Sequence, residues 1–199
     1  MATSALVWKC PLGEPSFERA RRLVDVTNGA ESRPRTFVAL SWTEVAFHVR
    51  FWCEDREPWA THAERDAPLY EEEALEVFVC PNGQLEQYFE FEVNPLGAVF
   101  DAVVHNPGLD RSALMTDPSW DCDGLQSEVL EWPNGWTARF AIPWESLGVS
   151  AQEGFEMPAN FFRIERRPYE AFQAWSPTLV SPADFHRPLR FGRVVLVRS

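Results

Sequence analysis

Three acids and an arginine occupy positions where a strand pattern can make chemistry out of them. In Tyr88–Asn94, "YFEFEVN", Phe89, Phe91 and Val93 alternate with Tyr88, Glu90, Glu92 and Asn94. Side chains on a strand point to opposite faces in turn, so the acids share one face and the apolar rings take the other. Ala74–Cys80 likewise groups Glu76 with Phe78 and Cys80. In "NFFRIERR", Phe161, Arg163, Glu165 and Arg167 share one side, and Asn160, Phe162 and Ile164 the other. A wet outer face of an antiparallel sheet would account for such charges. The sharper reading is a concave polar face lined by Glu76, Glu90, Glu92 and Arg163. It would offer fixed acceptors and donors to a hydroxyl-rich ligand.

Other chemistries find less support. Glycoside hydrolysis needs two carboxylates about 5–9 Å apart, one held protonated. Glu90 and Glu92 stand roughly 7 Å apart along a strand, yet nothing singles out an acid and a nucleophile. There is no GxSxG and no Ser with an evident His and Asp partner. His62 and Asp66 in "HAERD" would share a metal only on a helix, and two ligands are too few. The four cysteines, Cys10, Cys53, Cys80 and Cys122, form no CxxC and are expected to be free thiols.

The elements that must position these residues are strands. The chain has 199 residues, one domain's worth, and is 45% hydrophobic with a net charge of −12. That charge argues against nucleic acid and anionic membrane as partners. Period-two runs predict strands over Thr36–Trp42, Val45–Cys53, Ala74–Cys80, Gln87–Asn94, Ala98–Val104, Ser127–Trp132, Thr137–Ile142, Asn160–Arg166 and Arg190–Val197. Pro81-Asn82-Gly83, Asn94-Pro95-Leu96-Gly97 and Pro133-Asn134-Gly135 read as turns, the last closing a hairpin. Helix is confined to a short piece over Phe17–Leu23 and a single turn at Pro143–Gly148. The charged, Pro-bearing segment Glu54–Glu73 reads as a long loop of the kind that carries function. Trp59, Trp120, Trp132 and Trp136 lie in turn-like stretches and are expected near the surface. The start, "MATSALVWKCPLGEP", has no basic n-region and no long apolar run. On that ground the chain is expected in the cytoplasm, and a different native start site would reopen secretion.

Four motifs in order carry a family likeness: "RDAPLYEEEALEVFVCP", "YFEFEVNPLGAVFDA", "GWTARFAIPWESLG", and the set "NFFRIERR", "QAWSPT" and "DFHRPLRFGRVVL". From about Thr36 to Val197 the chain resembles the family 9 carbohydrate-binding modules and their free-standing relatives, β-sandwiches related to DOMON domains. The resemblance implies binding of sugars, in known members at the reducing end of a glucan or xylan, with two aromatics sandwiching the terminal ring. Carried over by motif, the first aromatic is Tyr70 and the second falls at Phe185; the family pattern has Trp at both. Glu76 matches an acid that contacts sugar hydroxyls. Glu92 stands where the pattern has a basic residue. Trp175, in "QAWSP", matches a tryptophan beside the site. Some members bind calcium through loop carboxylates, for which Glu54 with Asp55, or Asp121 with Asp123, are the candidates. No EF-hand spacing is present and the metal is left open.

The expectation is therefore a single all-β domain spanning 1–199. It is an antiparallel β-sandwich of jelly-roll type, immunoglobulin-like or DOMON-like in outline, with little helix. It binds a mono- or oligosaccharide without catalysis. Tyr70 and Phe185 stack on the ring, Glu76 and Glu92 accept from hydroxyls, Arg163 donates, and Trp175 flanks the site. The competing class is a sugar-blind scaffold for a protein partner, and an enzyme acting on glycosides ranks below both.

Overall fold

The computed structural model describes residues 6–198. The first residues of the segment read for an export signal lie outside it. Fourteen strands form two sheets: β1 Val7–Pro11, β2 Arg21–Arg22, β3 Val24–Asp25, β4 Thr36–Trp42, β5 Ala46–Glu54, β6 Ala74–Val79, β7 Gln87–Val93, β8 Val99–His105, β9 Met115–Asp117, β10 Gln126–Trp132, β11 Gly135–Pro143, β12 Glu156–Glu165, β13 Ala171–Ala174 and β14 Gly192–Val197. The first sheet runs β1-β14-β12-β6-β7-β8-β9, with β13 beside β12 and β3 beside β13; the second runs β10-β11-β5-β4-β2. Pairing is antiparallel except between β1 and β14. The only helical pieces among the described residues are short 3-10 turns, and none is long or apolar enough to cross a membrane.

The core lies between the sheets and follows from the alternation. Leu75, Val77 and Val79 of β6, Phe91 and Val93 of β7, and Phe161 of β12 meet Phe47, Val49 and Phe51 of β5 and Phe140 and Ile142 of β11. Burying these side chains drives the assembly, at about 1.5–3 kcal/mol each. Trp136 belongs here as well. It is fully buried, and its ring N–H donates to Asp55 at 3.2 Å. The surface position expected for it was wrong, because Pro133-Asn134-Gly135 closes the β10–β11 hairpin and Trp136 is already inside β11. The Phe17–Leu23 helix shrinks to a 3-10 turn at Phe17–Arg19.

The first sheet's outer face is not wet. A second apolar cluster covers one end of it: Phe78, Cys80, Tyr88, Val104 and Phe162 lie under Phe185 and Phe191, which come from the segment between β13 and β14. The acids of β6 and β7 lie beside that cover.

Candidate functional site

The site is a pocket of about 570 Å³ on this outer face. Its floor is sheet. Glu76 faces Glu92 directly across the β6–β7 ladder, and Phe78 faces Glu90 one same-face step along. Glu76, Glu90 and Glu92 are 2%, 4% and 0% exposed. The face is polar, but the charges are enclosed and not solvated.

Two loops supply the walls. Tyr70 stands on a 3-10 turn, Leu69–Glu71, whose Leu69 is buried as an anchor. The preceding loop is pinned by the acids that follow. Glu72 accepts from the amides of Thr61 at 2.6 Å and His62 at 3.2 Å, and Glu73 from the amide of Trp59 at 3.1 Å. Arg166 donates to the Tyr70 carbonyl at 3.0 Å and holds the turn from the other side. Tyr70 is left 48% exposed, edge-on to Phe100. The opposite wall is Phe185, stacked flat on Phe162 at 4.2 Å and edge-on to Phe172. Asp184 fixes this segment by accepting from the His186 amide at 3.1 Å and from Arg187 at 2.7 Å. His186 adds a bond between its Nδ1 and the Tyr88 hydroxyl at 2.8 Å. Arg111 lines the pocket from a turn in which Asp110 accepts from the Ser112 amide.

The electrostatics are unusual. Burial, followed by the Glu90 charge, pushes Glu76 well above the carboxylate range, while Arg111 and Arg166 pull weakly the other way. Burial lifts Glu90 to about 7 against opposing effects of Glu92 and Arg111. Glu92 is raised by burial and then by Glu76 and Glu90, with only the Tyr70 backbone acting in the opposite sense. Neither Glu92 oxygen has a hydrogen-bond partner of normal geometry. Burial and Arg111 hold His186 down at about 3, so it is a neutral imidazole at ordinary pH. Such a floor offers protonated carboxyls as donors and ionised ones as strong acceptors.

Four of the expected residues therefore converge. Tyr70, Glu76 and Phe185 line the pocket, and Glu92 lies in its floor among the acids. Two do not. Arg163 pairs across the ladder with Leu75, so it shares the inner face with Phe161. There it is fully buried, donating to Asp55 at 2.9 Å, to Glu165, to the Thr36 hydroxyl at 3.1 Å and to the Glu54 carbonyl at 2.9 Å. It cannot reach a ligand on the outer face. Trp175 packs in the core against Trp8 at 5.2 Å and Phe161 at 5.6 Å. Its ring lies so close to Gly192 that a Cβ there would come within 2.3 Å. Its role is packing.

The pocket also contains Glu90, read from the sequence as part of the polar face, and residues missed as ligand contacts: Phe100, Arg111, Arg166, Phe172 and His186. Arg166 was readable, because the period that puts Phe162 and Ile164 on the outer face continues to residue 166. Arg111 sits in a loop without periodicity and left no signal. Three of the four calcium candidates have an arginine partner: Glu54 pairs with Arg35, Asp55 with Arg163, and Asp121 with Arg65. His62 and Asp66 are on no helix and do not fall in a common acidic or metal-type cluster. A larger hollow of about 810 Å³ lies beside Pro143, Trp144 and Val149. Its one buried polar lining side chain is His48, against Glu76, Glu90 and His186 here.

The family model of carbohydrate-binding family 9 matches residues 24–196. The chain belongs to carbohydrate-binding family 9. It is 24% identical over 178 residues to an extracellular protein of Arthroderma benhamiae, covering 82% of this chain and 79% of that one. Its fold is similar to that of a Bacteroides uniformis ATCC 8492 protein inferred to bind carbohydrate, with TM-score 0.74, 18% identity, and coverage of 97% and 99% of the two chains. A family 9 module of Caldicellulosiruptor kristjanssonii in complex with glucose aligns with TM-score 0.69 and 14% identity over 97% and 96%. A family 9 module of the same organism in complex with cellotriose gives 0.65 and 15% over 98% and 94%. The all-β sandwich expected from the sequence is thus the fold of this family.

Proposed function

We propose that this family 9 domain holds the end of a mono- or oligosaccharide in the Tyr70–Phe185 pocket and does not transform it. The observation that carries the reading is the pairing of aromatic walls with an enclosed carboxylate floor in one cavity. A sugar has an apolar C–H face and a rim of hydroxyls. Tyr70 and Phe185 cover the first, and Glu76, Glu90 and Arg166 answer the second through charge-assisted hydrogen bonds. The glucose and cellotriose complexes of the Caldicellulosiruptor modules support a small neutral sugar as ligand class. The non-catalytic reading is supported by membership of a binding-module family. The spacing of the acids, with oxygens within 4.8 Å of one another, is short of the roughly 6.5–9.5 Å of an inverting pair but close to the roughly 5–5.5 Å of a retaining one.

The test is isothermal titration against a panel of mono- and oligosaccharides. Binding that requires a free reducing end, and that Tyr70→Ala removes, supports the reading. Silence across the panel from a folded protein overturns it in favour of a scaffold for a protein partner.

A further inference from the structure

Acidic side chains converge in three places: Asp55 with Glu73 and Glu165, Asp66 with Asp101 and Asp121, and Glu76 with Glu90 and Glu92. In each group the oxygens lie within 4.8 Å of one another. Two of the groups have a cation of their own. Arg163 bonds Asp55 and Glu165, and Arg65 bridges Asp101 and Asp121. The third has none. The arginines at its rim are paired elsewhere, Arg111 with Asp184 and Arg166 with Glu170. No ion pair among the described residues reaches Glu76, Glu90 or Glu92.

Glu92 supplies the second observation. It is wholly enclosed, neither of its oxygens has a hydrogen-bond partner of normal geometry, and the register sets it opposite Glu76 at the centre of the group. A buried carboxylate is costly, and natural proteins pair it, give it to a metal or keep it protonated. The group also opens on a pocket large enough for a sugar.

We propose that Glu76, Glu90 and Glu92 hold a hard divalent cation of calcium's class in the floor of the pocket, with its remaining coordination positions turned toward the ligand. Three carboxylates provide three to six oxygens, and calcium takes about 6–8 at roughly 2.3–2.6 Å, a shell the 4.8 Å convergence can close around. Neighbouring sugar hydroxyls complete the shell, and for this second half the inference rests on the sugar-binding reading. A dication leaves one negative charge near Arg111 and Arg166, whereas a protonated amine on a ligand would answer only one of the three. Because the ligands must ionise to bind metal, binding releases protons. The groups facing these acids are Arg111, Arg166, Tyr70 and His186, and proton release on binding makes the affinity rise with pH.

The test starts from full-length protein stripped with EDTA and dialysed. Calcium chloride titrated at pH 8 is expected to bind with a dissociation constant below about 1 mM and to weaken by about tenfold or more at pH 5.5. Glu92→Gln weakens it by at least about tenfold, whereas Asp66→Asn, in the arginine-bridged group, leaves it within about twofold. Circular dichroism confirms folding, and Glu90→Gln replaces Glu92→Gln if that variant fails. No calcium binding at pH 8 overturns the proposal, as does binding that Asp66→Asn abolishes and the pocket variants keep. The sugar panel is then run with calcium and with EDTA. Sugar affinity that drops in EDTA supports the proposal. Equal affinity in both, or a preference for an amino sugar in EDTA, overturns it. Calcium bound through Glu92 with no sugar bound keeps the cation site and fails the sugar reading, so the two are told apart.

Discussion

Arg163 and Glu92 are both fully enclosed, in strands of the same sheet and on opposite faces. Arg163 sits in a charge-balanced network: Asp55 and Glu165 balance it, and Thr36 and the Glu54 carbonyl take further N–H groups, although its Nε has no hydrogen-bond partner. Even the surplus acid there is settled. Burial, together with Glu165, lifts Glu73 to about 9, so it stays protonated beside its neighbours at neutral pH. Glu92 meets two more acids and no cation. Burial of charge does not by itself mark function, since closed networks do the same to hold an interior together. What distinguishes the outer face is that no cation among the described residues is paired with its acids and that they border a cavity. The difference makes opposite forecasts for removing charge on the two sides.

The largest effect is expected on the closed side. Arg163→Met leaves Asp55 and Glu165 buried without their cation and should cost about 3–5 kcal/mol. Urea denaturation at pH 7 reads this as a lowered midpoint at unchanged slope. A loss below about 1 kcal/mol would mean that the network does not depend on its arginine.

Next is the wall that serves both stability and ligand. Phe185 is 8% exposed and stacked on Phe162, so Phe185→Ala should destabilise by about 3 kcal/mol. Sugar binding should vanish with it. A variant that melts lower yet binds as before would move the ligand away from this wall.

Glu92→Gln carries the reversed sign. The pocket acids have folded pKa values raised above their ordinary 4.5, so their contribution is fully present below that pH and is lost as pH rises through the folded values, about 7 for Glu90. His186, depressed to about 3, acts oppositely, but only below its ordinary 6.5. From about pH 6.5 to 8.5 the falling acid contribution dominates, so the EDTA-treated protein should lose stability across that range. Glu92→Gln should flatten the loss and be more stable than the parent at the upper end, by on the order of 1 kcal/mol for each pK unit removed. Destabilisation by the same substitution at both pH values would erase the contrast with Arg163.

How much of this was visible beforehand depends on whether periodicity reached the residue. β7 alternates cleanly, and its acids were placed on the correct face. Arg163 was grouped correctly with Phe161 and then assigned to the polar face for its charge alone, although its position in the alternation pointed inward. Short strands escaped notice because two or three residues carry no period: β2 is Arg21–Arg22, and all three residues of β9 are exposed. They form by pairing with longer neighbours, which local sequence does not record. Trp175 shows the limit of resemblance. The motif located it near the site, and packing put it on the other side of the sheet.

The smallest effect on stability belongs to the residue expected to matter greatly for binding. Tyr70 touches Phe100 edge-on, but nearly half of its surface faces water, and its turn is held by Leu69 and by the Arg166 bond to its backbone. Truncation at Ala leaves those anchors in place. Tyr70→Ala should therefore change unfolding free energy by no more than about 0.5 kcal/mol, while removing a stacking surface equal to about tenfold or more in sugar affinity. Thermal melting and sugar titration on one preparation read both quantities. A large stability loss would make Tyr70 a packing residue like Trp175, and Phe185 would then be the one left of the two expected stacking walls.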